Sequence, residues 1–152
     1  MSELQEAGRE LLGAFSSWLT GARGLSALTA SSYISDLRKF LDFCEGTPRF
    51  DSDTLRAFVR GESERGLSPR SVSREISALR ALEGWLELSG GSEGSQASRL
   101  PMPKAPRRLP GFLGVSEVMS VLESYDTSTA AGMRDRAVVE LVYGSGARVS
   151  EA

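Results

Sequence analysis

The sequence contains no histidine and only one cysteine, Cys44, among its 152 residues. Without histidine, there is no Ser-His-Asp or Cys-His catalytic group and no zinc site with an imidazole ligand. A single cysteine cannot form an internal disulfide or a metal site made of cysteines alone, which fits a reducing compartment. We therefore expect none of these metal sites, and Asp126 and Asp135 are too isolated in the sequence for a carboxylate metal site.

An excess of positive charge is also missing. The 18 Lys and Arg residues face 20 Asp and Glu residues, so the formal net charge is −2. This excludes a protein that coats nucleic acid through bulk charge, and any nucleic-acid contact must come from local clusters. No apolar run approaches the roughly 18 residues of a membrane span, and the first residues are acidic where a secretory signal is basic. The sequence predicts a cytoplasmic protein without a membrane contact.

The first 88 residues show the apolar periodicity of four helices, and no window shows sustained strand alternation. The caps expected for the second to fourth helices are Thr29, Asp51 or Ser52, and Ser68. Pro69 follows the last of these at the first helical position, where its missing N–H costs nothing. The predicted fold class is all-α, with residues 1–88 forming a compact helical bundle.

Composition changes sharply after residue 88. Residues 89–98 are mostly Gly, Ser and other small or polar types, and residues 99–110 hold four of the six prolines and no acid. The basic residues of the second stretch are Arg99, Lys104, Arg107 and Arg108. Proline-rich segments stay extended and semi-rigid, so residues 89–108 are predicted to form a basic interdomain linker.

A second domain is predicted over residues 109–152. Ser116 is expected to cap one helix, and another helix is expected from about Met133 to Tyr143. Its inward-facing residues are expected to be Ala137, Val138, Leu141 and Val142. Residues 147–152 have the pattern of a further helix start. Two and a fraction helices cannot bury a core of their own, so the pattern predicts only the beginning of a domain.

Two of the predicted helices carry hydroxyl and basic side chains on one face. On the second helix these residues are Ser31, Ser35, Arg38 and Lys39, with Asp42 interrupting the face further along. On the fourth helix they are Arg70, Ser73, Arg74, Ser77 and Arg80. Such side chains donate hydrogen bonds to phosphate oxygens, which makes both faces candidate DNA-binding surfaces. The alternative is an ordinary solvated face, and the spacing alone favours it. The pairing of two such faces with a basic linker weighs against it.

The end of the sequence carries a second candidate site. Gly144-Ser145-Gly146 leads into a predicted helix start that bears Arg148, with Glu151 three residues later. An arginine at a helix N-terminus suits a phosphate, and an acid one turn along can hold the guanidinium in place. The alternative is a helix cap followed by a surface ion pair, which spacing alone favours.

Several stretches resemble the Xer-type tyrosine recombinases, the XerC/XerD group of the phage-integrase family. They are RGLSALTASSYISDLRKFLDFC, LRAFVRGESERGLSPRSVSREISALRALEGWL, PKAPRRLPGFLGVSEVMSVLE and MRDRAVVELVYGSGARVSEA. The resemblance covers nearly the whole chain in the order and spacing of the family. The Tyr-Gly-x-Gly form near the end favours the XerC type over the XerD type.

The resemblance implies an N-terminal core-binding bundle of four to five helices of the SAM-like type, the linker, and the first helices of an incomplete catalytic domain. Arg148 falls on the first catalytic arginine of the family, and Glu151 on an acidic position that supports the site. The residues implied to bind DNA are Arg38, Lys39, Arg70, Ser73, Arg74, Ser77 and Arg80, together with Lys104, Arg107 and Arg108 of the linker.

The resemblance also implies site-specific recombination, as in chromosome dimer resolution. A tyrosine of the family attacks the scissile phosphodiester, and the phosphotyrosyl link is later reversed without a metal or ATP, so the resemblance implies no metal and no other cofactor. The implied partners are a duplex recombination half-site, a second Xer-type recombinase in a tetrameric complex, and a septal DNA translocase.

The chain departs from the family because the His-x-x-Arg pair and the tyrosine motif are absent from it. By itself it is therefore predicted to bind DNA without cutting it. One alternative is a natural non-catalytic module that occupies half-sites or inhibits recombinase assemblies. Another is a helical protein-interaction domain without a DNA role.

Overall fold

The computed structural model describes residues 3–90, 96–104 and 111–151. The chain divides into two compact units, Met1–Pro106 and Arg107–Ala152, and the division falls inside the predicted linker. The described residues form six α-helices and two 3₁₀ turns, with no strand among them, which confirms the all-α prediction. The helices are α1 (Glu3–Gly21), α2 (Ala27–Phe43), α3 (Ser52–Glu64), α4 (Pro69–Leu88), α5 (Val115–Glu123) and α6 (Ala130–Ser145).

The helices of the first unit begin at residues that satisfy their free N–H groups. Asp51 caps α3 and Ser68 caps α4, each accepting a hydrogen bond from the backbone N–H three residues later, as predicted. The predicted cap Thr29 is wrong, because Ser26 caps α2, which begins at Ala27. The extended backbone of Ser26 lets its hydroxyl accept from the Thr29 N–H at 3.2 Å, so Thr29 lies in the first helical turn. Sequence alone did not distinguish these two hydroxyl residues.

The cap of α4 leads to a stability prediction. We expect Ser68→Ala to lower the free energy of unfolding by about 1 kcal/mol, because the Ser71 N–H loses its side-chain acceptor at 3.2 Å. Urea unfolding followed by tryptophan fluorescence measures this change, since Trp18 and Trp85 both lie in the first unit. The control is Ser17→Ala, at an exposed mid-helix serine. An equal effect at both positions would contradict the capping role.

The core of the first unit lies between α1, α2, α3 and α4. Its largest fully buried apolar side chains are Phe15, Leu19, Leu37, Phe40, Leu55, Ile76, Leu79 and Leu82. Phe40 is its aromatic centre, with ring centroids 5.6 Å from Phe50 and 5.2 Å from Phe58. The core fixes the contact between α2 and α4, the two helices with the predicted basic faces.

The second unit contains α5, α6 and a 3₁₀ turn at Val149–Glu151. Gly114 caps α5, not the predicted Ser116, and its N–H donates to the carboxylate of Glu117 at 2.7 Å. Thr129 caps α6, which therefore starts three residues before the predicted Met133. The predicted helix over 147–152 is a single short turn among its described residues.

The inward face predicted for α6 is wrong for the described residues, because α6 has no buried residue. Val138 is 48% exposed and Leu141 is 60% exposed. The neighbouring helix α5 has only nine residues and buries Val118 and Leu122. Its short apolar surface covers too little of α6 to bury those side chains. No helix within the described ranges is long and apolar enough to cross a membrane.

Candidate nucleic-acid interface

The two helices that carry the predicted basic faces, α2 and α4, pack against each other in the first unit. Arg38 on α2 and Arg70 on α4 are exposed, and neither has a polar partner among the described residues. An arginine without an internal partner keeps all five of its N–H donors for a ligand. Among the basic residues of the α2 and α4 faces, Arg38 and Arg70 are therefore the two without an internal partner in the described part of the chain.

Arg74 is held by an acid that the sequence did not single out. Its Nε donates to Oδ2 of Asp36 at 2.7 Å, and its Nη2 donates to Oδ1 at 3.0 Å. Asp36 is 2% exposed, whereas the Arg74 side chain is 46% exposed. This two-point hydrogen bond from α4 to α2 raises the pKa of Arg74. The pair therefore joins the two helices and leaves part of the guanidinium in solvent.

Lys39 lies at the centre of a cluster of carboxylates. Its Nζ is 2.9 Å from Glu75, 3.7 Å from Asp36 and 3.9 Å from Glu62. The hydrogen bond with Glu75 raises the pKa of Lys39, so its ammonium stays charged. Arg65 pairs with Glu62 at the edge of the cluster. Because the charge of Lys39 is already balanced by buried acids, Lys39 adds less to the positive electrostatic potential at the protein surface than Arg38 or Arg70.

Glu75 is the most buried member of this cluster, with no exposed surface. Burial raises the pKa of its carboxyl group, and the hydrogen bond from Lys39 opposes this shift. Its Oε2 atom has no hydrogen-bond partner within the described part of the chain. The cluster ties α2, α3 and α4 together, because Lys39 on α2 bonds to Glu75 on α4 and lies 3.9 Å from Glu62 on α3.

The two serines of the α4 face are bonded within their own helix. Ser73 donates to the carbonyl of Pro69 at 2.8 Å, and Ser77 donates to the carbonyl of Ser73 at 2.9 Å. Each hydroxyl must rotate away from this bond before it can donate to another acceptor. Their role as phosphate ligands stays a prediction.

Arg80 donates to the backbone of the segment after α4. Its acceptors are the carbonyls of Ala97 at 3.1 Å, Ser98 at 3.2 Å and Leu100 at 2.8 Å. Glu83 accepts from the N–H groups of Gln96 at 2.7 Å and Ala97 at 2.8 Å. Part of the predicted linker therefore packs on α4, with Ala97 and Leu100 buried in the core.

The remaining linker residues of the prediction divide between described and undescribed parts. Lys104 is exposed on the segment that follows Leu100. Arg107 and Arg108 lie outside the described residues. The DNA contacts of all three stay predictions.

The second unit brings Arg148 and Glu151 together as the spacing predicted. Arg148 donates from Nη1 to Glu151 Oε1 at 2.9 Å, and its backbone N–H donates to Oε2 at 2.8 Å. The backbone hydrogen bond is the main cause of the lowered pKa of Glu151. Gly146 ends α6 in the left-handed conformation, with φ of 65°, and directs the chain into this turn. The side chain of Arg148 is 82% exposed, and its catalytic role stays a prediction.

Sequence reasoning missed the acids at the interface. Asp36 precedes Leu37, and Glu75 precedes Ile76, so each acid borders the apolar stripe of its helix. An acid at the edge of such a stripe, with basic residues on the partner helix, is the signal that predicts a buried pair. No group of three or more potential metal ligands is arranged to hold a metal within the described ranges.

Comparison with known proteins identifies the first unit. Residues 12–90 match the family model described as phage integrase, N-terminal SAM-like domain. This range runs from the second half of α1 past the end of α4 and includes Arg38, Arg70 and Arg74.

Curated relatives match most of the chain. It is 41% identical over 134 residues to tyrosine recombinase XerC of Xanthomonas campestris pv. campestris (strain B100). This alignment covers 85% of this chain and 41% of the relative. It is 39% identical over 142 residues to tyrosine recombinase XerC of Oceanobacillus iheyensis, which covers 90% and 47%. It is 35% identical over 148 residues to tyrosine recombinase XerD of Listeria monocytogenes serovar 1/2a, which covers 93% and 50%.

The chain thus spans 41–50% of the length of these relatives. Since the family model matches more than half of its residues, the chain belongs to the phage-integrase family, carries that family's N-terminal SAM-like domain, and is similar to the XerC and XerD tyrosine recombinases.

Proposed function

We propose that this chain binds duplex DNA through the cations of α2 and α4, as the DNA-gripping part of a Xer-type site-specific recombinase. The observation that carries the proposal is the placement of Arg38 and Arg70. Both are exposed, neither has a polar partner within the described residues, and they lie on two helices that pack together in the SAM-like domain. Hydrogen bonds from arginine side chains to phosphate oxygens set the register of a protein on the DNA backbone.

The same proposal extends to the reaction of the complete recombinase. Relatives named tyrosine recombinases support cleavage and rejoining of DNA through a phosphotyrosyl intermediate. In that reaction Arg148 stabilises the charge that develops on the phosphate, and Glu151 orients the guanidinium of Arg148. The proposed partners are a duplex half-site, a second Xer-type recombinase in a tetramer, and a DNA translocase. A chromosomal substrate places the protein in the cytoplasm.

The second candidate is a DNA-binding module without catalysis. The absence of histidine from the sequence favours it for the chain alone, because the His-x-x-Arg pair of the family has no counterpart here. The two candidates share the same DNA-binding surface. They differ in whether cleavage accompanies binding, which a covalent protein–DNA complex reports directly.

The salt dependence of binding tests the proposed surface. For a protein that neutralises phosphates, the logarithm of the binding constant falls linearly with the logarithm of salt concentration, by about 0.9 for each phosphate contacted. We expect Arg38→Ala and Arg70→Ala each to flatten this slope by about 0.9. The measurement is fluorescence anisotropy of a labelled duplex of mixed sequence across a salt series.

Arg56→Ala is the matched control, because Arg56 is an exposed arginine of α3, outside the two proposed faces. It removes the same charge and should leave the slope close to that of the unchanged chain. Equal slopes for all variants would contradict the proposed surface. Failure of the folded chain to bind the duplex in dilute buffer would contradict the DNA-binding function itself.

A further inference from the structure

The two-point contact between Asp36 and Arg74 joins a buried acid to a half-exposed base. The carboxylate is 2% exposed and the arginine side chain is 46% exposed. Both carboxylate oxygens accept, at 2.7 Å from Nε and at 3.0 Å from Nη2. An arginine held at two points cannot rotate freely about its last bonds, so the plane of the guanidinium is fixed relative to α2 and α4.

The contact leaves donors for a second ligand. A guanidinium has five N–H groups, and the bonds to Asp36 use two of them. The other terminal nitrogen, Nη1, has no hydrogen bond among the described residues. Arg70 lies one helical turn before Arg74, so the two arginines are neighbours on α4. The free edge of Arg74 therefore belongs to the same surface as the unpaired Arg70.

We propose that Asp36 is a positioning residue for DNA binding, which holds Arg74 so that its free N–H groups meet a phosphate of the duplex. This inference rests on the proposed function. A free arginine side chain loses rotamer entropy when it binds a ligand, whereas Arg74 loses that entropy on folding. Asp36 thus assists the binding of an anion although it is itself negatively charged.

A positioning role and a simple charge effect predict opposite changes in the affinity for DNA when Asp36 is replaced. If the acid acts only through its charge, Asp36→Asn raises the net charge by one and tightens binding to DNA. If it positions Arg74, the same variant releases the guanidinium and weakens binding. We expect Asp36→Asn to bind the labelled duplex roughly three- to tenfold more weakly, in line with the loss of one phosphate contact.

Asp42→Asn is the matched control, because Asp42 is an exposed acid of α2 without a bond to Arg74. It gives the same change in charge and should bind the duplex as tightly as the unchanged chain, or more tightly. Tryptophan fluorescence at the assay temperature establishes that each variant is folded. Tighter binding by Asp36→Asn would overturn the proposal.

A double-mutant cycle separates positioning from a general structural role. In an Arg74→Ala background there is no guanidinium to orient, so Asp36→Asn should no longer weaken binding. Weakening in both backgrounds would overturn the proposal in favour of a structural role.

Arg74→Lys gives an independent result if Asp36→Asn does not fold, because lysine keeps the charge but cannot make the two-point contact. Its affinity should fall below that of the unchanged chain although the charge is kept, and wild-type affinity would overturn the proposal. If Arg38→Ala and Arg70→Ala flatten the salt slope while these tests fail, only the inference about Asp36 is wrong. If those variants leave the slope unchanged, the proposed DNA-binding surface is contradicted, and the inference about Asp36 is contradicted with it.

Discussion

Replacing Phe40 by alanine is expected to lower the free energy of unfolding of the first unit by about 3–5 kcal/mol. Phe40 has no exposed surface, and its ring contacts those of Phe50 and Phe58. The variant therefore loses the transfer free energy of a buried ring and leaves a cavity among side chains from several elements. Such a loss is a large share of the 5–15 kcal/mol that stabilises a typical domain.

Urea unfolding followed by tryptophan fluorescence measures the effect of Phe40→Ala on the first unit alone. Phe43→Ala is the control, since Phe43 is 47% exposed although its ring also contacts Phe58. We expect the control to lose about 1 kcal/mol, because nearly half of Phe43 stays exposed to water in the folded chain. Equal losses at the two positions would contradict the central place of Phe40 in the core.

Replacing Arg148 by alanine is expected to slow DNA cleavage by about 10²- to 10³-fold in a complete recombinase that contains this segment. The Arg148 side chain is 82% exposed and its guanidinium is already oriented by Glu151, so it is open to a phosphate. A donor that acts on charge developing in the transition state affects the rate more than the binding of substrate. Affinity for duplex DNA should therefore stay close to that of the unchanged enzyme.

The test of Arg148 is the rate at which a covalent protein–DNA complex accumulates on a nicked duplex. Arg134→Ala is the control, because Arg134 is an exposed arginine of α6 that pairs with Asp135. It should cut at the unchanged rate. An Arg148→Ala enzyme that also cuts at that rate would end the catalytic assignment.

Local features of the fold followed from the sequence. The caps Asp51 and Ser68 and the four helical stretches of the first unit depend on residues close together in the chain. For the same reason the pairing of Arg148 with Glu151 was predictable from a spacing of three residues. The error in the cap of α2 was also local. Ser26 and Thr29 are both good caps, and only the backbone conformation of Ser26 decided between them.

The state of the predicted basic residues did not follow from the sequence. Arg74 and Asp36 are 38 residues apart, Lys39 and Glu75 are 36 apart, and Arg80 bonds to carbonyls 17 to 20 residues away. A helical wheel shows which side chains share a face of one helix. It does not show which side chain of another helix lies opposite that face.

The sequence by itself determined that the chain is helical, where its helices fall in the first unit, and which residues could donate to a phosphate. These properties depend on periodicity and on the chemistry of single side chains. Only the tertiary structure decided which cations are free and which are paired. Packing α2 on α4 places buried acids beside Lys39 and Arg74 and leaves Arg38 and Arg70 in solvent. How strongly a charged side chain attracts a ligand depends on the charges close to it in space, and folding sets those neighbours.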